Sequence, residues 1–298
     1  MDHSPSRRSL LLAAVAAPFV AACVRAPAGD REHLHAAQSQ LDALEKASNG
    51  RLGVAALDTA SGARIGYRSR ERFPVCATYA VVAVAAMLAR STLDASLLSR
   101  RTLYRRYELV PGSPVTESRA DTGMTVGQLC EAVLQSDDKS AANLLMRVLG
   151  GPQTVTAFAH DSGDTSFRLD RWEPALNTAT PGDERDTSTP LAMAEALRRL
   201  LLGDVLREPE RTQLTTWMLG NARGFAGIRA GVPSDWRVAS MGGAGGYGTT
   251  TDVAVLWPTS RAPLVMAVSF TQPDAGAAPH ADVVAAAARI AAAALIAA

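Results

Sequence analysis

The feature that most constrains this chain is the long run between Arg72 and Arg90, which carries no charged side chain. Pro74 stands near its start, and the remainder is mostly Ala, Val, Leu and Met. A segment without a polar face predicts a buried helix entered from a loop. The first turn of such a helix presents unpaired N–H groups, which makes the junction a common place for a nucleophile. The side chains placed to act there are Ala77 and Ala80, and neither can react.

Residues 1–29 have the order of an export signal. Arg7 and Arg8 precede an apolar run, residues 10–22, that is too short to span a bilayer as a stable helix. The arginine pair favours the twin-arginine route. The sequence "VAAC" resembles a lipoprotein cleavage site with Cys23 as the lipid anchor, and ordinary cleavage after "APA" is the alternative. We therefore expect an exported, periplasmic protein, either free or anchored as a lipoprotein.

The charge and cysteine content limit the partners. A formal net charge of +1 argues against a nucleic-acid partner. The five histidines are scattered, and no Cys/His spacing indicates a metal site or a cofactor. Cys76 opens a buried helix and Cys130 lies within another helix, so we expect two separate buried thiols. A disulfide between them is the alternative in an oxidising compartment.

The hydrophobic periods divide the chain into α/β ends and a helical middle. A helix is predicted for "REHLHAAQSQLDALEKASNG" and a hairpin for "RLGVAALDTASGARIGYRS". Three late strands, "WRVASMGG", "TTDVAVLWP" and "APLVMAVSFTQ", imply an antiparallel meander before an Ala-rich helix. We assign residues 30–72 and 221–298 to an α/β domain and residues 73–220 to a helical domain. The active cleft is expected where the two parts meet.

The loop "RLDRWEPALNTATPGDERDTSTP" is the most specific signal in the chain. Glu173 and Asn177 on this loop resemble the water-activating loop of class A β-lactamases. The likeness runs from about Leu34 to Gln272 and includes "PVTE", "AANLL" and "GYGTTTDVAVLWP". It implies that Glu173 activates a water and that Asn177 holds it. It also implies an α/β (α+β) fold of the β-lactamase/transpeptidase type, in which helices flank an antiparallel five-stranded sheet beside an all-helical domain.

The same alignment places two other family motifs on substituted residues. The Ser-x-x-Lys motif falls on Ala77 and Ala80, so the hydroxyl that attacks the lactam and the lysine that helps to activate it are both absent. The Ser-Asp-Asn motif falls on residues 137–139. There Asp137 replaces the proton-shuttling serine and Lys139 replaces the substrate-binding asparagine.

The third motif, Lys-Thr-Gly, aligns with residues 241–243. Met241 replaces the lysine that attracts the substrate carboxylate, whereas Gly243 and the small residue Ala244 keep the family pattern. Arg229 in "GIRAGVP" aligns with a carboxylate-binding arginine of some members, and a solvated strand-edge arginine fits the pattern equally well. The family's oxyanion hole uses backbone N–H groups, here those of Ala77 and Ala244, and therefore survives substitution.

These losses predict a catalytically impaired protein. The main hypothesis is a monomeric pseudoenzyme that binds a β-lactam or a peptidoglycan fragment weakly. The first alternative is an active β-lactamase with a non-standard nucleophile. Asp137 and Glu173 are candidates for a carboxylate pair in general acid/base work, and a spare charge without a catalytic role is the other interpretation of that pair. The second alternative is an interaction protein that uses the β-lactamase scaffold to contact a partner.

Overall fold

The computed structural model describes residues 28–221 and 226–297 of the chain. The sequence features of the export signal, including Arg7, Arg8 and Cys23, lie outside these residues. Among the helices of the described part, none combines the length and the apolar character needed to cross a membrane.

A five-stranded antiparallel sheet forms the centre of the molecule, as predicted. Its strands are β1 (Arg51–Asp58), β2 (Arg64–Tyr67), β7 (Arg237–Ala244), β8 (Thr250–Trp257) and β9 (Leu264–Thr271), in the spatial order β2-β1-β9-β8-β7. The predicted hairpin is β1 paired with β2, and the predicted meander is β7-β8-β9. Since β9 pairs with β1 along its whole length, the two ends of the chain close one sheet.

The remaining strands are short and lie outside this sheet. They form two antiparallel pairs, β3 (Phe73–Pro74) with β6 (Thr187–Ser188) and β4 (Arg101–Thr102) with β5 (Met124–Thr125).

Ten α-helices are assigned in the described residues: α1 (Ala28–Ala47), α2 (Tyr79–Ser91), α3 (Pro114–Ser118), α4 (Val126–Ser136), α5 (Lys139–Leu149), α6 (Pro152–Asp161), α7 (Pro190–Leu201), α8 (Glu208–Leu219), α9 (Gly227–Gly231) and α10 (Ala281–Ala297). The predicted first helix and the predicted Ala-rich last helix are both present as α1 and α10. Short 3-10 turns cover Cys76–Thr78, Leu97–Ser99, Arg106–Glu108 and Ala175–Thr178.

The sheet separates two apolar cores because side chains alternate between its faces. On β8, Ala254 and Leu256 pack with α1 and α10, whereas Val253 and Val255 face the helical side. A strand buried on both faces has a continuous apolar sequence, and β8 shows this from Val253 to Trp257.

Helix α2 lies at the centre of the helical part. Its residues from Tyr79 to Leu88 are all buried, which confirms the buried helix predicted from the uncharged run. Cys76 and Cys130 are free, buried thiols, as expected. The domain boundaries at residues 72/73 and 220/221 stay a prediction.

Candidate active site

The turn that leads into α2 presents a free backbone donor. Thr78 N donates to Val75 O at 3.0 Å and closes the 3-10 turn over Cys76–Thr78. Ala77 precedes this first bond, so its N–H has no partner within the turn. The side chain of Ala77 is a buried methyl group, 4% exposed.

A second backbone donor lies at the end of β7. Gly245 N donates to Thr249 O of the β8 side at 3.0 Å. Because successive N–H groups of a strand point in opposite directions, the N–H of Ala244 points away from β8. Strand β7 is an edge strand of the main sheet, so this donor faces the turn before α2. A Cβ added at Gly243 would stand 2.5 Å from the Cβ of Ala77, which shows how closely β7 and the turn approach each other.

The loop between α6 and α7 carries Glu173 and is tied to its surroundings on both sides. The side-chain amide of Asn143 on α5 accepts from Glu173 N at 2.9 Å and donates to Glu173 O at 3.0 Å. Gly246 N donates to Asn177 O at 2.8 Å, which joins the loop to the turn between β7 and β8. At Gly245 a side chain is excluded, since a Cβ would lie 2.7 Å from Asn177 O. These contacts place Glu173 and Asn177 next to the end of β7.

The carboxyl group of Glu173 is buried, with the residue 5% exposed, and each oxygen has one donor. Asn177 Nδ2 donates to Oε2 at 2.6 Å, and the Tyr79 hydroxyl donates to Oε1 at 3.3 Å. Burial first, and then the charge of Asp137, raise the pKa of Glu173 to about 7, while Lys139 and the two donors oppose the rise. A carboxyl group that titrates near neutrality is suited to act as a general base.

Asn177 offers an additional acceptor at this place. Its Oδ1 atom is buried and accepts no hydrogen bond from the residues that the structure describes. Buried polar atoms are rarely left without a partner. A water that bridges Asn177 Oδ1 and Glu173 would satisfy this atom, and the water-holding role expected for Asn177 stays a prediction.

The turn between α4 and α5 places Asp137 and Lys139 at the cleft. Asp137 has a left-handed backbone with φ 49°. Asp137 keeps an exposed face, but nearby protein atoms reduce the hydration of its carboxyl group and raise its pKa to about 6, with Lys139 opposing the rise. The stem of Lys139 runs past Gly112, where a Cβ would stand 3.2 Å from Lys139 Cδ. The carboxyl groups of Glu173 and Asp137 are close enough for the charge of Asp137 to affect the pKa of Glu173.

Two predicted binding residues lie away from this cluster. Met241 is 1% exposed, and its sulfur lies 3.9 Å from Asn221 Nδ2 within the core. The guanidinium of Arg229 donates to Val238 O at 2.6 Å. Val238 and Ala244 lie near opposite ends of β7, about 20 Å apart at ~3.3 Å per residue. The structure therefore assembles residues 77, 137, 139, 173, 177, 243 and 244 without the side chains of Met241 and Arg229.

Three nearby hydroxyl and thiol groups, those of Cys76, Thr78 and Ser140, are buried or hydrogen-bonded. Burial raises the pKa of the Cys76 thiol, with the charge of Glu173 adding to the rise, so the thiol stays protonated. The Thr78 hydroxyl donates to Val75 O at 2.6 Å. The Ser140 hydroxyl accepts from Val110 N at 2.8 Å and lies 2.7 Å from the hydroxyl of Ser113. None of these three groups is prepared for nucleophilic attack.

Three residues of the site were not assigned a role from the sequence. Tyr79 binds the carboxyl group of Glu173, and Asn143 binds its main chain. Asp138 holds the turn between α4 and α5 through bonds to α3 and α5. The sequence signals available were a lone tyrosine at the start of the uncharged run, and an aspartate at the N-cap of an apolar helix.

The chain is similar to known proteins over most of its length. A family model described as the beta-lactamase enzyme family matches residues 36–297. Beta-lactamase OXY-2 of Klebsiella oxytoca is 52% identical over 255 residues, which cover 86% of this chain and 88% of that protein. Beta-lactamase Toho-1 of Escherichia coli is 49% identical over 286 residues, or 95% of this chain and 96% of that protein. A crystal structure of a beta-lactamase from Burkholderia ambifaria is 73% identical with a TM-score of 0.85, and the match covers 86% of this chain and 98% of that one.

These relatives correct the main functional hypothesis. Proteins about half identical over most of the chain are named beta-lactamases, which favours an active enzyme over a pseudoenzyme. The prediction of a catalytically impaired protein, drawn from the side chains missing at Ala77 and Ala80, is therefore wrong. The first alternative, hydrolysis with a non-standard nucleophile, is better supported, and the nucleophile has to come from a group other than residue 77.

Proposed function

Because this chain belongs to the class A β-lactamase family, we propose that it hydrolyses β-lactams by direct attack of a water molecule on the lactam carbonyl. The observation that carries the proposal is the buried carboxyl group of Glu173. It lies beside an unpaired acceptor on Asn177 and near the position where the family has its nucleophilic serine. Water is the non-standard nucleophile, and no covalent intermediate forms.

Glu173 and Asn177 prepare the water. Glu173 accepts one proton of the water, and Asn177 Oδ1 accepts a hydrogen bond from the other. The water oxygen forms a bond to the lactam carbonyl carbon, and the carbonyl electron pair moves onto its oxygen. The N–H groups of Ala77 and Ala244 face the place where this negative charge develops. Such donors contribute about 10²–10³-fold each to the rate in serine hydrolases.

Asp137 completes the reaction as the proton donor. The electron pair on the oxyanion re-forms the C=O bond as the C–N bond of the ring breaks. The leaving nitrogen takes a proton from the carboxylic acid of Asp137, where the family has its proton-shuttling serine. Glu173 then releases its proton, and Asp137 is protonated again. The sum of the steps adds one water to the lactam and yields the ring-opened amino acid.

The protonation states of the pair set the expected pH dependence. The reaction needs ionised Glu173 and protonated Asp137, whereas their pKa values of about 7 and about 6 favour the opposite arrangement. When the pair holds one proton, the reactive form is therefore the less populated of the two. We expect a bell-shaped rate profile with its maximum between about pH 6 and pH 7.

The charges of the cleft favour particular substrates. The family lysine of the third motif is here the buried, apolar Met241, and Lys139 stands beside the two carboxyl groups instead. A second anionic group on the substrate would meet Asp137 and Glu173. We therefore expect penicillins with an ammonium-bearing side chain to be better substrates than those with a second carboxylate.

The test uses the purified protein and a chromogenic cephalosporin. Glu173→Gln keeps the shape of the side chain but cannot accept the proton, so turnover should fall about 10²-fold or more. The matched control is Glu184→Gln, an exposed glutamate of the same loop, which should leave turnover unchanged. Intact mass taken during turnover should show the unmodified protein. No turnover by the wild type, equal turnover by Glu173→Gln, or a stable acyl adduct would each contradict direct water attack.

We also propose that the protein is exported to the periplasm, on the basis of the arginine pair Arg7 and Arg8 and the apolar run over residues 10–22. Fractionation of cells that express the full chain, with Cys23→Ser as the matched variant, tests both the compartment and the lipid anchor. The wild type should leave the cytoplasm. Membrane association that Cys23→Ser abolishes would establish the anchor.

A further inference from the structure

Tyr79 is a buried phenol with a single hydrogen-bond partner among the described residues. It is the first residue of α2 and is 1% exposed. Its hydroxyl donates to Glu173 Oε1 at 3.3 Å, which is long for an O–H···O bond. Buried tyrosine hydroxyls normally have a partner, and here that partner is the carboxyl group that the reaction uses.

Glu173 is held by donors from three separate elements. Tyr79 on α2 binds Oε1, Asn177 on the loop itself binds Oε2, and Asn143 on α5 binds the main chain. With one donor on each oxygen, the plane of the carboxylate has a defined orientation. Without Tyr79, Oε1 would have no donor, and the group could turn about its last bond.

We propose that Tyr79 is the positioning residue of the general base, because its hydroxyl fixes the Glu173 carboxylate facing the water that Asn177 binds. The catalytic part of this inference rests on the proposed function. The bond between Tyr79 and Glu173 has a measurable effect on Glu173 alone and can be tested without any hydrolysis.

The phenol keeps its proton throughout the working range. Burial, followed by the charges of Glu173 and Asp137, raises the pKa of Tyr79 well above its ordinary value. Tyr79 is therefore a donor at every relevant pH. A donor to the charged form lowers the pKa of Glu173 against the effect of burial. The other charged or titratable groups that face this pair are Asp137, Lys139, Cys76 and Asp186.

The first experiment titrates Glu173 in the absence of substrate. Side-chain carboxyls are labelled with ¹³C and followed by NMR as the pH changes, and Glu173→Gln identifies the signal. In Tyr79→Phe the ring is kept and the hydroxyl is lost, so the titration of Glu173 should move to higher pH. The matched control is Tyr104→Phe. Tyr104 is also a buried tyrosine, but its hydroxyl donates to Thr116 O at 3.0 Å, so the variant should leave the titration in place.

A second substitution at position 79 should move the titration of Glu173 in the opposite direction. Placing 3-fluorotyrosine at position 79 makes the phenol a stronger donor, with little change of shape. The titration of Glu173 should then move to lower pH. This protein keeps the packing of the tyrosine ring, so it tests the inference even if Tyr79→Phe does not fold.

The kinetic experiment adds a readout that a purely structural role would not change. A higher pKa of Glu173 lowers the reactive share of the singly protonated pair, so kcat should fall about tenfold for a rise of one in that pKa. At the same time the alkaline limb of the profile should move to higher pH. If Tyr79→Phe changes neither the titration of Glu173 nor the alkaline limb of the pH–rate profile, the positioning role is overturned, whether or not the variant loses stability. A titration that moves in a protein that hydrolyses no lactam would support the role of Tyr79 and reject direct water attack.

Discussion

Removal of the Asp138 side chain is expected to destabilise the helical part of the protein strongly. Asp138 is fully buried and is the N-cap of α5, where its Oδ1 accepts from Ala141 N at 2.8 Å. Its Oδ2 accepts from Val115 N and Thr116 N, each at 2.8 Å, and Oδ1 also accepts from the Thr116 hydroxyl. One carboxylate thus joins the start of α3 to the start of α5.

The magnitude of the loss follows from these bonds. An N-cap Asp→Ala change costs about 1 kcal/mol. Thr116 is fully buried, and its N–H left without a partner costs a further 1–3 kcal/mol or so, whereas Val115 is only half-buried and contributes less. We expect Asp138→Ala to lower the free energy of unfolding by about 3 kcal/mol. Since domains have about 5–15 kcal/mol in total, this is a large share.

Urea unfolding, monitored by circular dichroism, measures this loss of stability through the midpoint of the transition and its dependence on urea concentration. Asp138→Asn keeps one carbonyl acceptor and should lose less than Asp138→Ala. The control is Glu117→Ala on α3, one of the two helices that Asp138 joins. It removes an exposed ion pair with Arg106 and should change stability by less than about 1 kcal/mol. A loss below about 1 kcal/mol for Asp138→Ala, at unchanged slope, would refute the assignment of Asp138 as the link between the two helices.

Two further predictions concern the sheet. Gly243→Ala places a Cβ 2.9 Å from Ala77 N and also against the Cβ of Ala77. Activity should fall, and the free energy of unfolding measured in urea should drop by about 1–3 kcal/mol. The control is Gly276→Ala, whose Cβ would meet only Asp274 Oδ1 at 3.7 Å. Burial raises the pKa of Asp252 to about 7 from 3.8, so its contribution to stability is complete at low pH and is lost as the pH rises through about 7. Between pH 5 and pH 8 the wild type should therefore lose roughly 2.5 kcal/mol of stability relative to Asp252→Asn. Parallel stability curves for the two proteins would contradict this.

Much of the fold could be predicted because its strands and helices have recognisable local sequence patterns. Short apolar runs next to turn residues predicted β1, β2 and the β7-β8-β9 meander, and the uncharged run predicted the buried helix α2. These patterns are visible in short windows of sequence because each strand or helix must present an apolar side to one of the two cores. The loop with Glu173 and Asn177 was equally recognisable, since its spacing is short.

The sequence by itself determined the type and order of these elements, the family, and the absence of a reactive side chain at residues 77 and 80. Only the tertiary structure decided which groups surround Glu173. Tyr79 is 94 residues away from it and Asn143 is 30 residues away, and neither contact has a local signature. The same holds for the burial of Met241 and for the direction of the Ala244 N–H. Hydration, pKa and donor direction depend on how distant segments pack, and a pattern read along one segment contains no information about its neighbours in space.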